Sequence, residues 1–126
     1  MTTEITAETL ETRSQTMAEH FLNEKGYRIV ERDWCIKQGS SGLVAEDDDT
    51  LVFIQVLSRE SDDGKLPEEK PARRSRASFE LSAAKYLSRN NRQSSRVRFD
   101  IISLLLLGKN QAFLRHHIDA LSSDIE

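Results

Sequence analysis

A short apolar run in the middle of the chain is the feature that most constrains its fold. The run extends from Thr50 to Arg59, and the one polar residue that interrupts its apolar core is Gln55. β-Branched and aromatic residues are abundant in it, which is typical of a strand buried on both faces. We therefore predict a central strand in a sheet that carries helices on both sides. A polar side chain in such a strand needs a hydrogen-bonding partner or a task, so Gln55 is the first residue of functional interest.

The composition of the chain is typical of one soluble domain. Its 126 residues match the size of a single compact domain, and 37% are hydrophobic and 31% charged. The net charge of −3 gives no global preference for nucleic acid or acidic lipid. The single cysteine, Cys35, excludes an internal disulfide and a cysteine-only zinc site. The N-terminus lacks the features of a secretory signal, and no apolar run approaches the ~18 residues of a membrane span, so we expect a cytoplasmic protein with no membrane contact.

The spacing of apolar and turn residues predicts the other elements. A first helix begins at Thr6 or Thr9 and runs to about Lys25, and Gly26 is the natural residue to end it. The further predicted elements are strands over 27–34, 42–46, 97–107 and 111–115, a helix over 71–89 and a helical turn over 117–121. This order, α-β-β-β-α-β-β, predicts an α/β fold with a mixed central β-sheet flanked by helices. We expect one domain over residues 1–126, with residues 1–6 frayed and residues 60–71 forming a mobile linker.

Positive charge is concentrated around the second predicted helix. Between Lys70 and Arg98 the sequence has nine basic residues and one acidic residue, Glu80. A basic helix beside a sheet is suited to contact phosphate groups, and the alternative is a solvated helix face that pairs with the acidic linker. The candidate nucleic-acid-binding residues are Arg73, Arg74, Arg76, Arg89 and Arg92.

Several segments, in their order and spacing, resemble the YraN family of bacterial proteins, which belongs to the restriction-endonuclease-like, PD-(D/E)xK nuclease superfamily. The resemblance covers roughly residues 14–121. The segments that carry it are Ala18 to Leu22, Lys25 to Trp34, Leu43-Val44-Ala45, Asp47, Asp49 to Phe53, Val56, Arg59, Ala83-Ala84, Tyr86-Leu87 and Arg98-Phe99-Asp100. The resemblance implies a restriction-endonuclease-like fold.

The resemblance also implies a chemistry, which is metal-assisted hydrolysis of a phosphodiester. In that superfamily, one acid on the second strand and one on the third hold Mg²⁺, and hard divalent cations require such oxygen ligands. The metal lowers the pKa of a water molecule and stabilises charge on the phosphate. A lysine two residues after the third-strand acid lies on the same face of the strand and neutralises developing charge.

This sequence departs from the pattern at every one of these positions. The family's second-strand segment is Gly-Glu-Ile-Asp-Leu-Ile-Ala, and alignment on Leu43-Val44-Ala45 replaces its two acids with Ser40 and Gly42. The third-strand Glu-Val-Lys becomes Gln55-Val56-Leu57, and the first-helix Gly-Glu becomes Ser14-Gln15. A neutral amide cannot supply the charge that compensates Mg²⁺. We therefore expect a nuclease-like scaffold with no catalytic residues, no metal site and no cofactor, the changed positions being Gln15, Ser40, Gly42, Gln55 and Leu57.

The remaining acidic residues and the histidines give weaker candidates. Three adjacent carboxylates, Asp47 to Asp49, lack the spaced pattern of a calcium loop and are interpreted as a solvated turn. His116 and His117 are neighbours, so on a strand they point to opposite faces and cannot chelate one metal together. We interpret Asp100 as a structural residue. It is also the one remaining acid that could approach the position of the metal site implied by the resemblance.

Three functions are compatible with these observations. The first is a non-catalytic domain that binds DNA or RNA, or a protein partner, through the basic helix. The second is a residual metal-dependent endonuclease that uses Asp100 or the acidic turn. The third is a protein-interaction module without nucleic-acid contact. The first is favoured, because the basic helix is present and the metal ligands are replaced.

Overall fold

The predicted α/β class and the predicted order of elements are both confirmed. The structure is a computed structural model that describes residues 6–32, 34, 41–60, 73–91, 96–107 and 111–121. Along this part of the chain two helices and five strands follow one another: α1 (Thr6–Glu24), β1 (Arg28–Arg32), β2 (Ser41–Asp47), β3 (Thr50–Glu60), α2 (Arg73–Arg89), β4 (Arg96–Leu107) and β5 (Gln111–His117).

Most element boundaries lie within a few residues of their predicted positions. Helix α1 already includes Thr6, and β3 still includes Glu60, so these two residues do not belong to the expected frayed terminus and mobile linker. The rest of those two segments, and Pro71, lie outside the described residues. The last strand continues to His117 rather than ending at Arg115, and the turn that follows begins at Ile118.

The five strands form one mixed sheet in the sequential order β1-β2-β3-β4-β5. Strands β3 and β4 are parallel, with a register that runs from Thr50 opposite Arg96 to Glu60 opposite Leu106. The other neighbouring pairs are antiparallel. Because β3 and β4 are parallel, the chain must return from the C-terminal end of β3 to the N-terminal end of β4, and α2 lies on that connection. The position of β3 inside the sheet explains its nearly continuous apolar sequence.

Alternation along the strands separates two packed faces of the sheet. On the face covered by α1, here named the α1 face, Ala18 and Leu22 belong to a buried cluster with Val52 and Ile54. On the opposite α2 face, side chains from α2 pack against residues of β3 and β4. The members of this second cluster include Phe79, Ala83, Tyr86, Leu51, Phe53, Phe99 and Ile101. No helix of the described chain is long and apolar enough to cross a membrane.

Phe53 is the centre of the core on the α2 face. Its ring is fully buried and lies 4.8 Å from the ring of Trp34, centroid to centroid. The rings of Phe79 and Tyr86 from α2 each lie 5.6 Å from it at steep angles. Edge-to-face aromatic pairs add to the hydrophobic stabilisation of burial, so one side chain of β3 joins α2 to the segment that contains Trp34.

We expect Phe53→Ala to lower the free energy of unfolding by about 3–5 kcal/mol, because it removes a buried ring and leaves a cavity between its aromatic neighbours. Urea denaturation measures the change. Leu81→Ala is the matched control, since Leu81 is 59% exposed on α2 and its loss should change the free energy by less than about 0.5 kcal/mol. Equal effects of the two substitutions would contradict the packing described here.

Candidate functional site

Three of the five positions at which the resemblance implies metal-site residues lie together on the α2 face. Gly42 of β2 is directly opposite Gln55 of β3 in the antiparallel register. Leu57 follows two residues later on the same face and packs against the core cluster there. The strand geometry therefore places these three positions side by side, and their side chains are a hydrogen atom, a neutral amide and an apolar group.

The other two positions are not part of this arrangement. Gln15 belongs to α1, which packs on the opposite face of the sheet through Ala18 and Leu22. Ser40 lies outside the described residues.

Trp34 covers the position at which the second-strand acid is expected. Its backbone N–H donates a hydrogen bond to the carbonyl oxygen of Gly42 at 3.1 Å. A Cβ atom at Gly42 would lie 2.2 Å from the carbonyl oxygen of Trp34 and 3.0 Å from its ring. In this packing there is no space for a side chain at residue 42, so the position cannot carry a carboxylate unless the segment at Trp34 moves.

A second polar arrangement, the Asp100 cluster, lies on the α1 face. Asp100 is completely buried and accepts two hydrogen bonds of 2.9 Å from the guanidinium of Arg98. His116 of β5 contacts its Oδ2 atom at 2.8 Å, and the backbone N–H of Asp119 donates to its Oδ1 atom at 2.9 Å. The Arg98 guanidinium also donates to the hydroxyl of Tyr27 at 2.7 Å. These five residues define the cluster. Each described contact of the Asp100 carboxylate is with a hydrogen-bond donor.

The end of α1 brings Lys25 and Tyr27 to this cluster. Gly26 has a positive φ of 95°, its N–H donates to the carbonyl of Asn23, and the N–H of Tyr27 donates to the carbonyl of Leu22. This pair of bonds is a Schellman motif, which a glycine at this position permits without strain. The predicted role of Gly26 as the residue that ends the helix is therefore confirmed.

Lys25 fixes the hydrogen-bonding state of His116. The Nζ atom of Lys25 lies 3.1 Å from Nδ1 of His116, and an ammonium can only donate. Nδ1 therefore accepts, and Nε2 carries the proton that is donated to Asp100. The Lys25 ammonium also lies 5.2 Å from the ring centroid of Phe21, a distance that allows a cation–π contact.

The electrostatics of the cluster keep Asp100 ionised. Burial alone raises the pKa of Asp100, but hydrogen bonds from His116, Arg98 and the Asp119 backbone, with the charge of Arg98, outweigh it and hold the pKa below its usual range. The hydrogen bond to Asp100 raises the pKa of Arg98, although burial opposes this. Burial raises the pKa of Tyr27, partly offset by the neighbouring Arg98.

The contacts of the Asp100 cluster connect β4 to β5 and to the residues that follow α1. Ile54, opposite Asp100, belongs to the α1-face core, whereas Gln55 and its partner Ile101 face α2. Asp100 therefore points away from Gly42, Gln55 and Leu57, and the prediction that it could approach the metal site implied there is wrong. Among the residues that the structure describes, no three His, Cys, Asp or Glu side chains are close enough together to hold a metal ion.

The basic residues counted between Lys70 and Arg98 do not all belong to the surface of α2. Arg98 is directed into the fold, where it pairs with Asp100 and contacts Asp47 at 3.3 Å. Arg73, Arg74 and Arg76 belong to the first turn of α2, which contains no acidic residue. Arg89 is exposed in its last turn, and Arg92 lies outside the described residues.

Sequence reasoning missed the partners of Asp100. The sequence pattern gives His116 no partner and no metal-binding role, and it identifies Tyr27 only as a strand residue. The one available signal is the alternation of β5, which places His116 on the opposite face from His117 and on the same face as Leu114. The contact of Tyr27 with Arg98 joins residues that are 71 positions apart, so local pattern gives no indication of it.

Comparison with known proteins assigns the chain to a family. The sequence model of the Uncharacterised protein family UPF0102 matches residues 15–104, which contain the arrangement of Gly42, Gln55 and Leu57 and the parallel strand pair up to Leu104. The chain belongs to the UPF0102 family. The resemblance to YraN proteins is thereby confirmed, and the five-stranded mixed sheet with two helices is consistent with the restriction-endonuclease-like fold that it implied.

Relatives of similar length support the assignment. A UPF0102 protein of Syntrophomonas wolfei subsp. wolfei is 34% identical over 107 residues, which cover 84% of this chain and 91% of the relative. One from Pelotomaculum thermopropionicum is 35% identical over 88 residues, covering 70% and 73%. One from Rhodococcus opacus is 30% identical over 106 residues, covering 84% and 90%. This UPF0102 chain therefore corresponds to its relatives over most of their length.

We expect Asp100→Asn to lower the free energy of unfolding at neutral pH by about 3–5 kcal/mol, because the partly buried guanidinium of Arg98 loses its buried counter-charge and keeps only the longer contact with Asp47. Asp48→Asn is the matched control, since Asp48 is exposed at a positive φ of 57° that asparagine also adopts. Chemical denaturation of both variants measures the difference. A decrease below about 1 kcal/mol in Asp100→Asn would show that the cluster contributes little.

The same carboxylate should make stability depend on acid pH. The pKa of Asp100 is lower in the folded chain than the usual value of about 3.9, so the unfolded state takes up the proton more readily. The contribution is complete above pH ~5 and is lost as the pH falls through the folded pKa. Denaturation midpoints measured between pH ~7 and ~2 should decline less steeply in Asp100→Asn than in the native chain. Parallel profiles would contradict a depressed pKa.

Gly42→Ala should destabilise the chain by about 1–3 kcal/mol, because the new Cβ atom would overlap the backbone oxygen of Trp34. The direction of the change in stability is informative, since replacing glycine by alanine at an unhindered strand position usually stabilises a protein by about 0.4–1 kcal/mol. Urea denaturation distinguishes the two. An increase in stability would mean that the position has space for a side chain and that Trp34 does not cover it.

Proposed function

We propose that this UPF0102 protein is a non-catalytic nucleic-acid-binding domain that retains a nuclease-like scaffold and contacts phosphate groups through α2. The observation that carries the proposal is the juxtaposition on the α2 face of Gly42, Gln55 and Leu57. These positions occupy neighbouring places in the sheet, as a two-acid metal site with a lysine would require, yet they offer no carboxylate and no positive charge.

The chemistry of these three side chains opposes metal-dependent cleavage. An Mg²⁺ ion bound by protein needs hard oxygen ligands and compensating negative charge, and a single amide supplies only the first. Leu57 cannot neutralise charge on a phosphate in the way that a lysine does. The Trp34 backbone above Gly42 further excludes a side chain from the metal position.

The placement of charge on α2 supports phosphate binding. The N-terminal end of a helix carries partial positive charge, so arginine in the first turn is unfavourable by about 0.3–1 kcal/mol for each residue. Arg73, Arg74 and Arg76 occupy that turn without an acidic neighbour in it. An anion such as a nucleic-acid phosphate would remove this unfavourable interaction. The crossover direction favours a position for this turn near the end of β3, beyond Gln55 and Leu57.

The geometry argues against a residual nuclease. Asp100 is engaged by Arg98, His116 and the Asp119 backbone, and it lies on the opposite side of the sheet from Gln55. Asp47 contacts Arg98, which leaves Asp48 and Asp49 as two exposed acids in a turn. Asp100 could bind a metal only if the contacts of the Asp100 cluster broke. Asp48 and Asp49 would have to bind a metal without help from another acid.

The proposal is tested by fluorescence anisotropy with labelled duplex, branched and single-stranded DNA over a series of salt concentrations. We expect binding that weakens steeply with salt, because each neutralised phosphate releases a counterion. The Arg73→Gln/Arg74→Gln variant should bind more weakly, and the slope of log affinity against log salt should fall by about 0.9 for each phosphate that is no longer neutralised.

The Arg28→Gln/Arg32→Gln variant is the charge-matched control. These two arginines lie on β1, where they pair with Glu46 and Glu19, so their removal changes net charge equally without altering α2. An equal loss of affinity in both variants would indicate attraction that depends only on net charge. Absence of binding to all three DNA forms at low salt would reject the proposal and favour a protein-interaction module.

A further inference from the structure

Three side chains, from β4, from β5 and from the residue after α1, form a continuous hydrogen-bonded series, here named the Lys25 relay. The Oδ2 atom of Asp100 lies 2.8 Å from Nε2 of His116, and Nδ1 of His116 lies 3.1 Å from Nζ of Lys25. The side chains of Asp100 and His116 are 0% and 4% exposed, whereas Lys25 is an exposed residue. The relay therefore begins at a buried carboxylate and ends at an amino group on the surface.

The imidazole of His116 is held in one orientation. The rings of Phe21 and Tyr27 lie 5.7 Å and 5.8 Å from it, centroid to centroid, and both meet it at steep angles. Its Nε2 proton is donated to Asp100. The lone pair of Nδ1 is therefore directed at the amino group of Lys25.

This geometry is that of an acid–histidine pair that acts on a nucleophile. A histidine takes a proton from a group within about 2.6–3.2 Å, and the distance of 3.1 Å between Nδ1 of His116 and Nζ of Lys25 lies in that range. Transfer of the proton makes His116 an imidazolium, which the ionised carboxylate of Asp100 stabilises from the other side of the ring. The proton transfer leaves a lone pair on Lys25, and a neutral amine is a nucleophile whereas an ammonium is not.

An open apolar groove lies beside the same amino group. Its volume is about 670 Å³, which falls in the range of roughly 300–1,000 Å³ that is typical of ligand clefts. The described residues that line it are Thr16, Met17, His20, Phe21, Glu24 and Lys25. Met17 and Phe21 supply its apolar surface, and no arginine is among these residues. The groove is therefore better suited to an uncharged apolar group than to a phosphate.

We propose that Lys25 is a site of acylation, at which its amino group takes an apolar acyl group from an acyl thioester. The nitrogen of Lys25 attacks the carbonyl carbon of the thioester, so that a C–N bond forms and the C–S bond breaks. Two protons leave the original ammonium through Nδ1 of His116, one to water and the other to the departing thiolate. The products are an amide, a thiol and a hydrogen ion. The acyl chain lies against Met17 and Phe21, and the reaction does not depend on nucleic-acid binding.

The native chain tests the proposal with Lys85 as an internal reference, since Lys85 is an exposed lysine of α2. The protein is incubated near neutral pH with the hexanoyl thioester of N-acetylcysteamine, and peptide mass spectrometry measures the initial rate of acylation at each lysine. We expect Lys25 to react at least about tenfold faster than Lys85, because general-base catalysis usually contributes about 10²–10⁴-fold. Equal rates at the two lysines would overturn the proposal.

His116→Gln tests the proton acceptor. Glutamine keeps a donor for Asp100 but does not take up a proton near neutral pH, so the ratio of the Lys25 rate to the Lys85 rate should fall at least about tenfold. His117→Gln is the matched control, because it makes the same change at the neighbouring residue on the opposite face of β5, and it should retain the native ratio. Circular dichroism establishes that both variants are folded. An unchanged ratio in His116→Gln, or an equal fall in both variants, would contradict the relay.

Unfolding the native chain separates the effect of the relay from that of local sequence. Concentrated urea breaks the contacts of Lys25 with His116 but leaves the sequence neighbours of both lysines unchanged. We therefore expect the preference for Lys25 over Lys85 to disappear in urea. A preference that persists would belong to local sequence and would overturn the proposal. This measurement needs no variant, so it remains decisive if His116→Gln does not fold.

The length of the acyl chain tests the groove. The ratio of the Lys25 rate to the Lys85 rate should be at least about fivefold larger for the hexanoyl thioester than for the acetyl thioester, because buried methylene groups favour the bound state. Met17→Gln should reduce this difference, since it replaces apolar surface in the groove with an amide. Equal ratios for the two thioesters in the native chain would overturn the assignment of an apolar acyl group.

Discussion

The parallel pairing of β3 with β4 is the constraint on which the rest of the structure depends. It fixes Gln55 beside Ile101 and Ile54 beside Asp100, and the alternation of each strand then assigns every neighbouring side chain to one face. Both helices pack according to this assignment, with α1 on the Ile54 side and α2 on the Phe53 side. A shift of one residue in this register would exchange the two faces, so the hydrophobic pattern of both strands holds it in place.

The same constraint separates the two chemically distinct parts of the molecule. Gly42, Gln55 and Leu57, at which the resemblance implies metal-site residues, face α2, whereas the buried acid Asp100 faces α1. The carboxylate that remains in the core is therefore committed to a structural task. Through Arg98, His116 and the turn at Asp119 it connects β4 to β5 and to the end of that strand, and through Tyr27 it reaches the end of α1.

Much of the architecture could be predicted from local pattern, because it depends on local physical chemistry. The apolar run at β3, the glycine that ends α1 and the alternation of the two histidines each required only a few neighbouring residues. The ends of the strands were less predictable, since the continuation of β3 to Glu60 and of β5 to His117 depends on pairing with β4, which is distant from β3 in sequence.

The candidate sites were predicted in part. The resemblance to YraN proteins identified which positions belong together, and the structure brings three of them onto one face. The resemblance gave no information about the hydrogen-bond donors around Asp100, because these come from a strand, a turn and a helix end that are brought together by tertiary folding.

The proposal that this α/β scaffold has no metal chemistry is tested most directly by titration of Mn²⁺ followed by electron paramagnetic resonance. Free Mn²⁺ gives a strong signal that is lost on binding, so the number of sites and their affinity follow without a substrate. We predict no binding tighter than about 1 mM in the native chain, with or without DNA. One Mn²⁺ bound per chain at micromolar affinity, and released by Gln55→Ala but not by Asp48→Asn, would contradict this prediction.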